Sequence, residues 1–168
     1  ILKILHKKEG DSFVAGVIDG MAGIATIQKI DQEFIYCSFK ETSSGKSLNP
    51  LKMIIGFPRP IQLKRLLRDI AALGVCEVHL TGTELGEKSY MQSTLVEKGN
   101  AYKMLLDGTV QAGSTSVPKL FLHKTLKECI AQIKSENAEG ILLALDNVNP
   151  KISLKKSLGE FGCNFEYG

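Results

Sequence analysis

The run LKMIIGFPRPIQLKRLLRDIAALGV, residues 51–75, constrains the fold more than any other part of the chain. LKMIIGF is short, apolar and rich in β-formers, which predicts a buried strand. Pro58 and Pro60 end it. Pro60 suits the first turn of a helix, where the N–H it lacks would be unpaired in any case. The helix that follows stacks Leu63, Leu66, Leu67, Ile70 and Leu73 on one face. Gly74 is placed to stop it, while Lys64, Arg65 and Arg68 fall on another arc. From Lys46 to Arg68 there are six basic residues and no acidic one. A cationic helix face just past a strand end suits a polyanionic substrate. Composition alone fits an ordinary solvated face equally well.

The rest of the composition sets bounds. With 168 residues the chain can bury a real core, as one medium domain or two small ones. Apolar residues at 43% against 23% charged place it among globular rather than disordered chains. A net charge of +3 is too small to declare a nucleic-acid binder, but its distribution is uneven: residues 1–45 hold five Lys and six acids, and are nearly neutral. No eighteen-residue apolar run is present, so no membrane span is expected. The chain opens on Ile1 and shows no signal-peptide pattern, as expected of a fragment of something longer. Cys37, Cys76, Cys129 and Cys163 are far apart, without a C-x-x-C. Such scattered thiols read as reduced core residues and favour a cytoplasmic protein.

The grammar of the chain changes near residue 45. Before it, DSFVAGVID and MAGIATIQKI flank Asp19-Gly20, a hairpin signal, and FIYCSFK follows as a third strand. These suggest a small β-barrel or sheet over residues 1–45. ETSSGKSLNP, residues 41–50, reads as a linker. Residues 46–168 then alternate. LKMIIGF is a strand and PIQLKRLLRDIAAL a helix; VCEVHLTG is a strand and residues 93–106 a helix; VPKLFL is a strand, HKTLKECIAQIKSE a helix and GILLALD a strand. Such alternation predicts an α/β fold with a parallel sheet. Its ligands bind beyond the strands' carboxyl ends, near residues 58–60, 81–83 and 146–149. The tail LKKSLGEFGCNFEYG shows no clear period.

Candidate chemical sites are few. GTELGEKS, residues 82–89, follows a strand but is not a phosphate loop: three residues separate its glycines and Glu87 intervenes before Lys88. Lys88 remains able to touch a nucleic-acid phosphate. His6, His79 and His123 sit on three different elements without ligand spacing, so no metal site is expected. No nucleophile elbow or Cys-His constellation marks a catalytic residue. Asp146, at the end of GILLALD, is placed to face a ligand, although DNVNP is also turn chemistry. QAGSTSVP, residues 111–118, is a small-residue loop that permits close backbone approach to a ligand, or else a helix C-cap at Gly113 followed by a plain loop. The C-cap is preferred on local grounds.

The order of these pieces resembles the small-subunit ribosomal RNA uracil-N3 methyltransferases of the SPOUT superfamily, over nearly the whole chain. KILHKKEGDSFVAGVIDG is similar to the family's N-terminal barrel segment. FPRPIQLKRLLRDIAALGVCEVHLTGTE resembles the opening of its methyltransferase domain, and VQAGSTSVPKL its Gln-x-Gly-Arg-x-x-x-Pro loop. GILLALDNVNP resembles the strand whose end begins the cofactor pocket. The resemblance implies a PUA-like or OB-like β-barrel, residues 1–45, that helps grip RNA. It also implies a SPOUT-like α/β methyltransferase domain from residue 46 to 168, of the knotted type. S-adenosylmethionine as methyl donor, homodimerisation and a uracil of small-subunit rRNA as target are implied as well. By position it assigns Gln111, Gly113, Leu145 and Asp146 to the cofactor side. Arg59, Lys64, Arg65, Arg68 and Lys88 are the candidates for RNA phosphates.

The family's Gly-Pro-Glu-Gly-Gly loop and its Leu-Arg-Thr-Glu-Thr-Ala segment build the knot and most of the cofactor pocket. Neither occurs in these 168 residues, so the chain is expected to be truncated at both ends with its C-terminal knot missing. Ser114 stands where the loop usually has Arg, and Leu85 where Arg commonly follows Thr-Glu. Two alternatives to an enzyme follow. One is a non-catalytic RNA-binding protein that keeps the barrel and the basic helix without the cofactor knot. The other is an α/β interaction domain with no nucleic-acid role.

Overall fold

The computed structural model describes residues 6–84, 86, 99–136, 139–146 and 148–160. They fall into two compact units, Ile1–Cys129 and Ile130–Gly168. The first begins with three antiparallel strands, β1 (Ser12–Gly16), β2 (Ala22–Ile30) and β3 (Ile35–Ser43), in the order β1-β2-β3. Asp19-Gly20 does mark a hairpin, with Gly16 opposite Ala22. Its loop is longer than a two-residue turn. Val17 N–H donates to the Met21 carbonyl and Gly20 N–H to the Val17 carbonyl, with Asp19 at φ +54°. Aspartate tolerates that left-handed conformation better than most residues. Ala25 and Ile27 are buried on one side of this sheet. Among the described residues it is an open three-stranded sheet rather than a closed barrel.

The expected linker is shorter than its composition suggested. β3 runs to Ser43 and β4 (Asn49–Gly56) begins at Asn49, leaving only residues 44–48 between them. From there the α/β alternation holds. β4 leads through helix α1 (Pro60–Ala72) to β5 (Val75–Thr81), and helix α2 (Asn100–Gln111) leads into β6 (Lys119–His123). The three strands form a parallel sheet ordered β4-β5-β6, with Ile54 opposite His79 and His79 opposite Phe121. The expected helix over residues 93–106 is α2, five residues longer at its C-terminus. Residues 93–98 lie outside those described.

β5, the middle strand, is bonded on both sides, so beyond Val75, which joins the core at the strand's start, its side chains alternate between the two faces. Val78 and Leu80 point to α1 and α2, where Leu63, Leu67, Ile70, Ala71, Ala101, Leu105 and Val117 complete an apolar core. Leu66 packs at its margin, whereas Leu73 is 71% exposed, a correction to the five-residue stripe. The reason is local: Leu73 is the C-cap of α1, and Gly74 at φ +74° turns the chain away, its N–H donating to the Ala71 carbonyl. α1 and α2 cross at Gly108, where a Cβ would run into the carbonyl oxygen of Arg68. Only glycine lets the two backbones approach this closely.

Helix α3 (Leu126–Glu136) follows β6, and Thr125 caps it through a bond from the Glu128 N–H to its hydroxyl. GILLALD is not a strand here. Residues 140–146 pair with no neighbour among the described residues, and Ile141, Leu142 and Leu145 are exposed. Its apolar run carries the side-chain signal of a strand, but a strand exists only when another backbone completes its hydrogen bonds. The tail that showed no period contains a short helix, α4 (Leu154–Glu160). No helix among the described residues is long and apolar enough to cross a membrane.

Gly108→Ala should overpack the α1–α2 crossing and cost about 1–3 kcal/mol. Urea denaturation followed by far-UV circular dichroism measures this as a lower midpoint with an unchanged slope. An unaltered midpoint would mean that the helices separate freely at Gly108.

Candidate functional site

At the carboxyl end of the parallel sheet the ladder continues past the strands: Phe57 N–H donates to the Thr81 carbonyl, and Gly82 N–H to the His123 carbonyl. Gly56, Thr81 and the residues after them therefore share one rim, the ligand-binding edge of open α/β sheets. Arg59 stands at that rim as the N-cap residue of α1 and is exposed. One turn later Lys64 and Arg65 are exposed, and Arg68 is half-buried beside the α2 crossing. Spacings of three and four residues put Lys64, Arg65 and Arg68 on one arc. None of these four cations has an acidic partner among the described residues. The face is thus left un-neutralised, as a surface for phosphates requires. Lys88 lies outside the described residues.

The small-residue loop after α2 has a clear structural job. Gly113, at φ +63°, ends the helix: its N–H donates to the Val110 carbonyl and the Ser114 N–H to the Thr109 carbonyl. That pairing is a Schellman C-cap, so Gly113 takes its conformation without help from any ligand. Beyond it the loop grips the β1–β2 turn. Asp19 N–H donates to the Thr115 carbonyl at 2.8 Å and the Thr115 hydroxyl to the Gly20 carbonyl at 2.7 Å, while Val117 N–H donates to Asp19 Oδ1 at 3.0 Å. Ser116 adds a bond to the Lys46 carbonyl. The backbone that the small residues admit is therefore that of the hairpin. This loop joins β6 at its amino end, so Gln111, exposed, and Gly113 lie at the end of the sheet opposite the Gly56–Thr81 rim.

Leu145 and Asp146 belong to the second unit. There a cavity of about 720 Å³ is lined by Leu143, Leu145, Asp146, Asn149, Ile152 and Leu154 among others. Asp146 Oδ1 accepts from the backbone N–H of Val148 at 2.8 Å and of Asn149 at 3.2 Å. Those two bonds hold its carboxyl below the usual aspartate range. The turn chemistry of DNVNP is real, and it fixes an ionised carboxylate in the lining of the cavity.

Sequence reasoning missed a buried polar ladder on the other face of β5. Glu77 pairs with Lys52 at 2.7 Å and accepts from His79 Nε2 at 3.3 Å. His79 Nδ1 meets His123 Nε2 at 2.9 Å, and the His79 ring stacks on Phe121. Cys129, in the first turn of α3, closes the group. Burial pushes His79 below the ordinary histidine range, an effect its bond to Glu77 only partly offsets, so the ring is neutral. Burial raises the Glu77 carboxyl, but the Lys52 and His79 bonds prevail and hold it below its usual range. Burial also pushes the Cys129 thiol up. The available signal was parity: His79 and His123 occupy like-facing positions of neighbouring strands, which only the strand order reveals.

Residues 45–162 match the family model of the RNA methyltransferase domain. The chain belongs to that family. It is similar to ribosomal RNA small subunit methyltransferase E of Treponema pallidum, 38% identical over 79% of this chain and 50% of the relative. It is also similar to ribosomal RNA small subunit methyltransferase E 1 of Borreliella burgdorferi, 32% identical over 83% of this chain and 58% of the relative. The chain thus spans about half the length of the curated relatives it matches. Its fold resembles the crystal structure of a ribosomal RNA small subunit methyltransferase E from Neisseria gonorrhoeae bound to S-adenosyl methionine. That likeness has a TM-score of 0.63 at 14% identity, over 77% of this chain and 54% of that one. An RNA methyltransferase domain accounts for the α/β order; the clasp at Thr115 accounts for how its sheet is joined to the N-terminal strands.

Thr115→Val keeps the shape of the side chain and removes the hydroxyl that bonds Gly20. It should cost about 1–2 kcal/mol and raise amide hydrogen exchange selectively at residues 17–20. Unchanged exchange there would remove Thr115 from the clasp.

Proposed function

We propose that this chain is the RNA-gripping and sheet-forming part of an rRNA methyltransferase. In this reading a methyl group passes from S-adenosylmethionine to N3 of a uracil in small-subunit rRNA. The observation that carries the RNA side is the arc of Lys64, Arg65 and Arg68 on α1, together with Arg59 on the rim of the parallel sheet, none of them with an acidic partner among the described residues. Family membership across residues 45–162 supports the methyltransferase side. Arg59, Lys64, Arg65 and Arg68 would hold phosphates and position the RNA without reading its sequence. Lys88 is proposed as a further contact.

The cofactor reading rests on the second-unit cavity and is carried to Gln111 and Gly113 by position alone. An apolar wall of Leu143, Leu145, Ile152 and Leu154 fits a flat heteroaromatic base, and the ionised Asp146 fits a hydroxyl or a cationic group. When bound, S-adenosylmethionine supplies an electrophilic methyl on a sulfonium. The protein's part is to hold the uracil imide in line and favour loss of its N3 proton. Positioning and a polarising surround provide most of such an acceleration. A cytoplasmic homodimer acting on the small ribosomal subunit completes the proposal, with residues 1–45 as the PUA-like or OB-like RNA-binding part and residues 46–168 as the SPOUT-like methyltransferase part.

Binding of a small-subunit rRNA fragment, followed by fluorescence anisotropy across a salt series, tests the cationic arc. The double variant K64A/R65A should bind more weakly and lower the slope of log K against log salt by about 2, since each lost phosphate contact contributes about 0.9. An unchanged slope would refute the assignment. Calorimetric titration with S-adenosylmethionine separates the enzyme from a non-catalytic RNA binder. Saturable heat that Asp146→Ala diminishes is expected; no heat, with RNA binding intact, would leave only the RNA-binding role.

A further inference from the structure

The ladder on the polar face of β5 plays no part in the cationic arc or in the second-unit cavity. Its members come from three elements of the first unit: His79 from β5, His123 from the end of β6, and Cys129 from the first turn of α3. All three are buried, at 0%, 3% and 0% exposure. One ring nitrogen of each imidazole and the Cys129 Sγ lie within 4.8 Å of one another. We propose that His79, His123 and Cys129 form a binding site for a zinc-class divalent cation, with Glu77 orienting His79 from behind.

The donor set matches the chemistry of that class. Two imidazoles and a thiolate are borderline-to-soft ligands, which select zinc or cobalt over calcium or magnesium. In a tetrahedral zinc site the ligand nitrogens stand about 3.3 Å apart and nitrogen and sulfur about 3.6 Å, given bonds of about 2.0–2.3 Å. The 2.9 Å between His79 Nδ1 and His123 Nε2 needs only a small opening to admit an ion. The carboxylate is where such sites place one. Glu77 Oε2 accepts from His79 Nε2 at 3.3 Å, which leaves His79 Nδ1 as the nitrogen with a free lone pair. Without metal, the His123 Nε2–H donates to that lone pair. Among the described residues the Cys129 thiol has no hydrogen-bond partner, so its sulfur is open to a ligand.

On binding, the Cys129 Sγ–H proton leaves to solvent and the His123 proton moves from Nε2 to Nδ1, so three lone pairs converge and one proton is released. Because Cys129 sits in the first turn of α3, a bound cation would pin that turn to the sheet.

Cobalt(II) tests this on the full chain, stripped with chelator and dialysed against a slight excess of the metal. One ion per chain is expected, with intense visible d–d bands of a tetrahedral site and a near-ultraviolet thiolate-to-cobalt band. Cys129→Ser should abolish the thiolate band, whereas Cys76→Ser, on the opposite face of β5, should leave it intact. Glu77→Gln should weaken affinity by about 10- to 100-fold. Zinc should raise the melting temperature of the parent chain but not of Cys129→Ser, a comparison made within each protein and so insensitive to the variant's own stability. No stoichiometric uptake by the parent chain, or a thiolate band that survives Cys129→Ser, would overturn the site.

Discussion

The parity of β5 governs the first unit. Paired by β4 on one side and β6 on the other, this strand has no freedom to rotate, and adjacent residues must face opposite ways. Val78 and Leu80 build the apolar core with α1 and α2; Glu77 and His79 build a charged and aromatic ladder on the reverse. A slip of one residue would bring Glu77 into the apolar core and Leu80 among the polar groups of the buried reverse face, so register is fixed by the cost of that exchange. The rim at Thr81, where the cationic helix begins, follows from the same pairing.

A second constraint ties the N-terminal strands to this sheet. The loop after α2 uses backbone groups and the Thr115 hydroxyl to grip Asp19 and Gly20, almost a hundred residues earlier in sequence. Gly16 and Gly45 both press on Thr115, where a Cβ on either would collide with its side chain. Such contacts leave no room for larger residues, which explains why a stretch poor in large side chains can be structurally exacting. They also free the cationic arc of α1 from any role in joining the two sheets.

The two ends of the parallel sheet differ in what they carry. One edge of the sheet carries un-neutralised cations, and the other carries the clasp. The second unit holds a cavity lined in part by the fixed carboxylate of Asp146.

The elements of the α/β part could be read from the chain because their signals are local. Proline at the start of α1, glycine at its end and a leucine stripe between them act within a few residues, and Asp19-Gly20 specifies its own turn. The cationic arc followed from helical spacing in the same way. GILLALD failed because strand propensity describes side chains, whereas a strand needs a partner's hydrogen bonds. The QAGSTSVP loop concealed its role since small polar residues serve a ligand or another backbone equally well. His79, His123 and Cys129 sat on separate elements with no spacing to link them; strand order and the seat of α3 brought them together. Local propensity and capping were determined by the sequence itself, while convergence of distant side chains was decided only by tertiary pairing, because proximity across strands has no counterpart in chain separation.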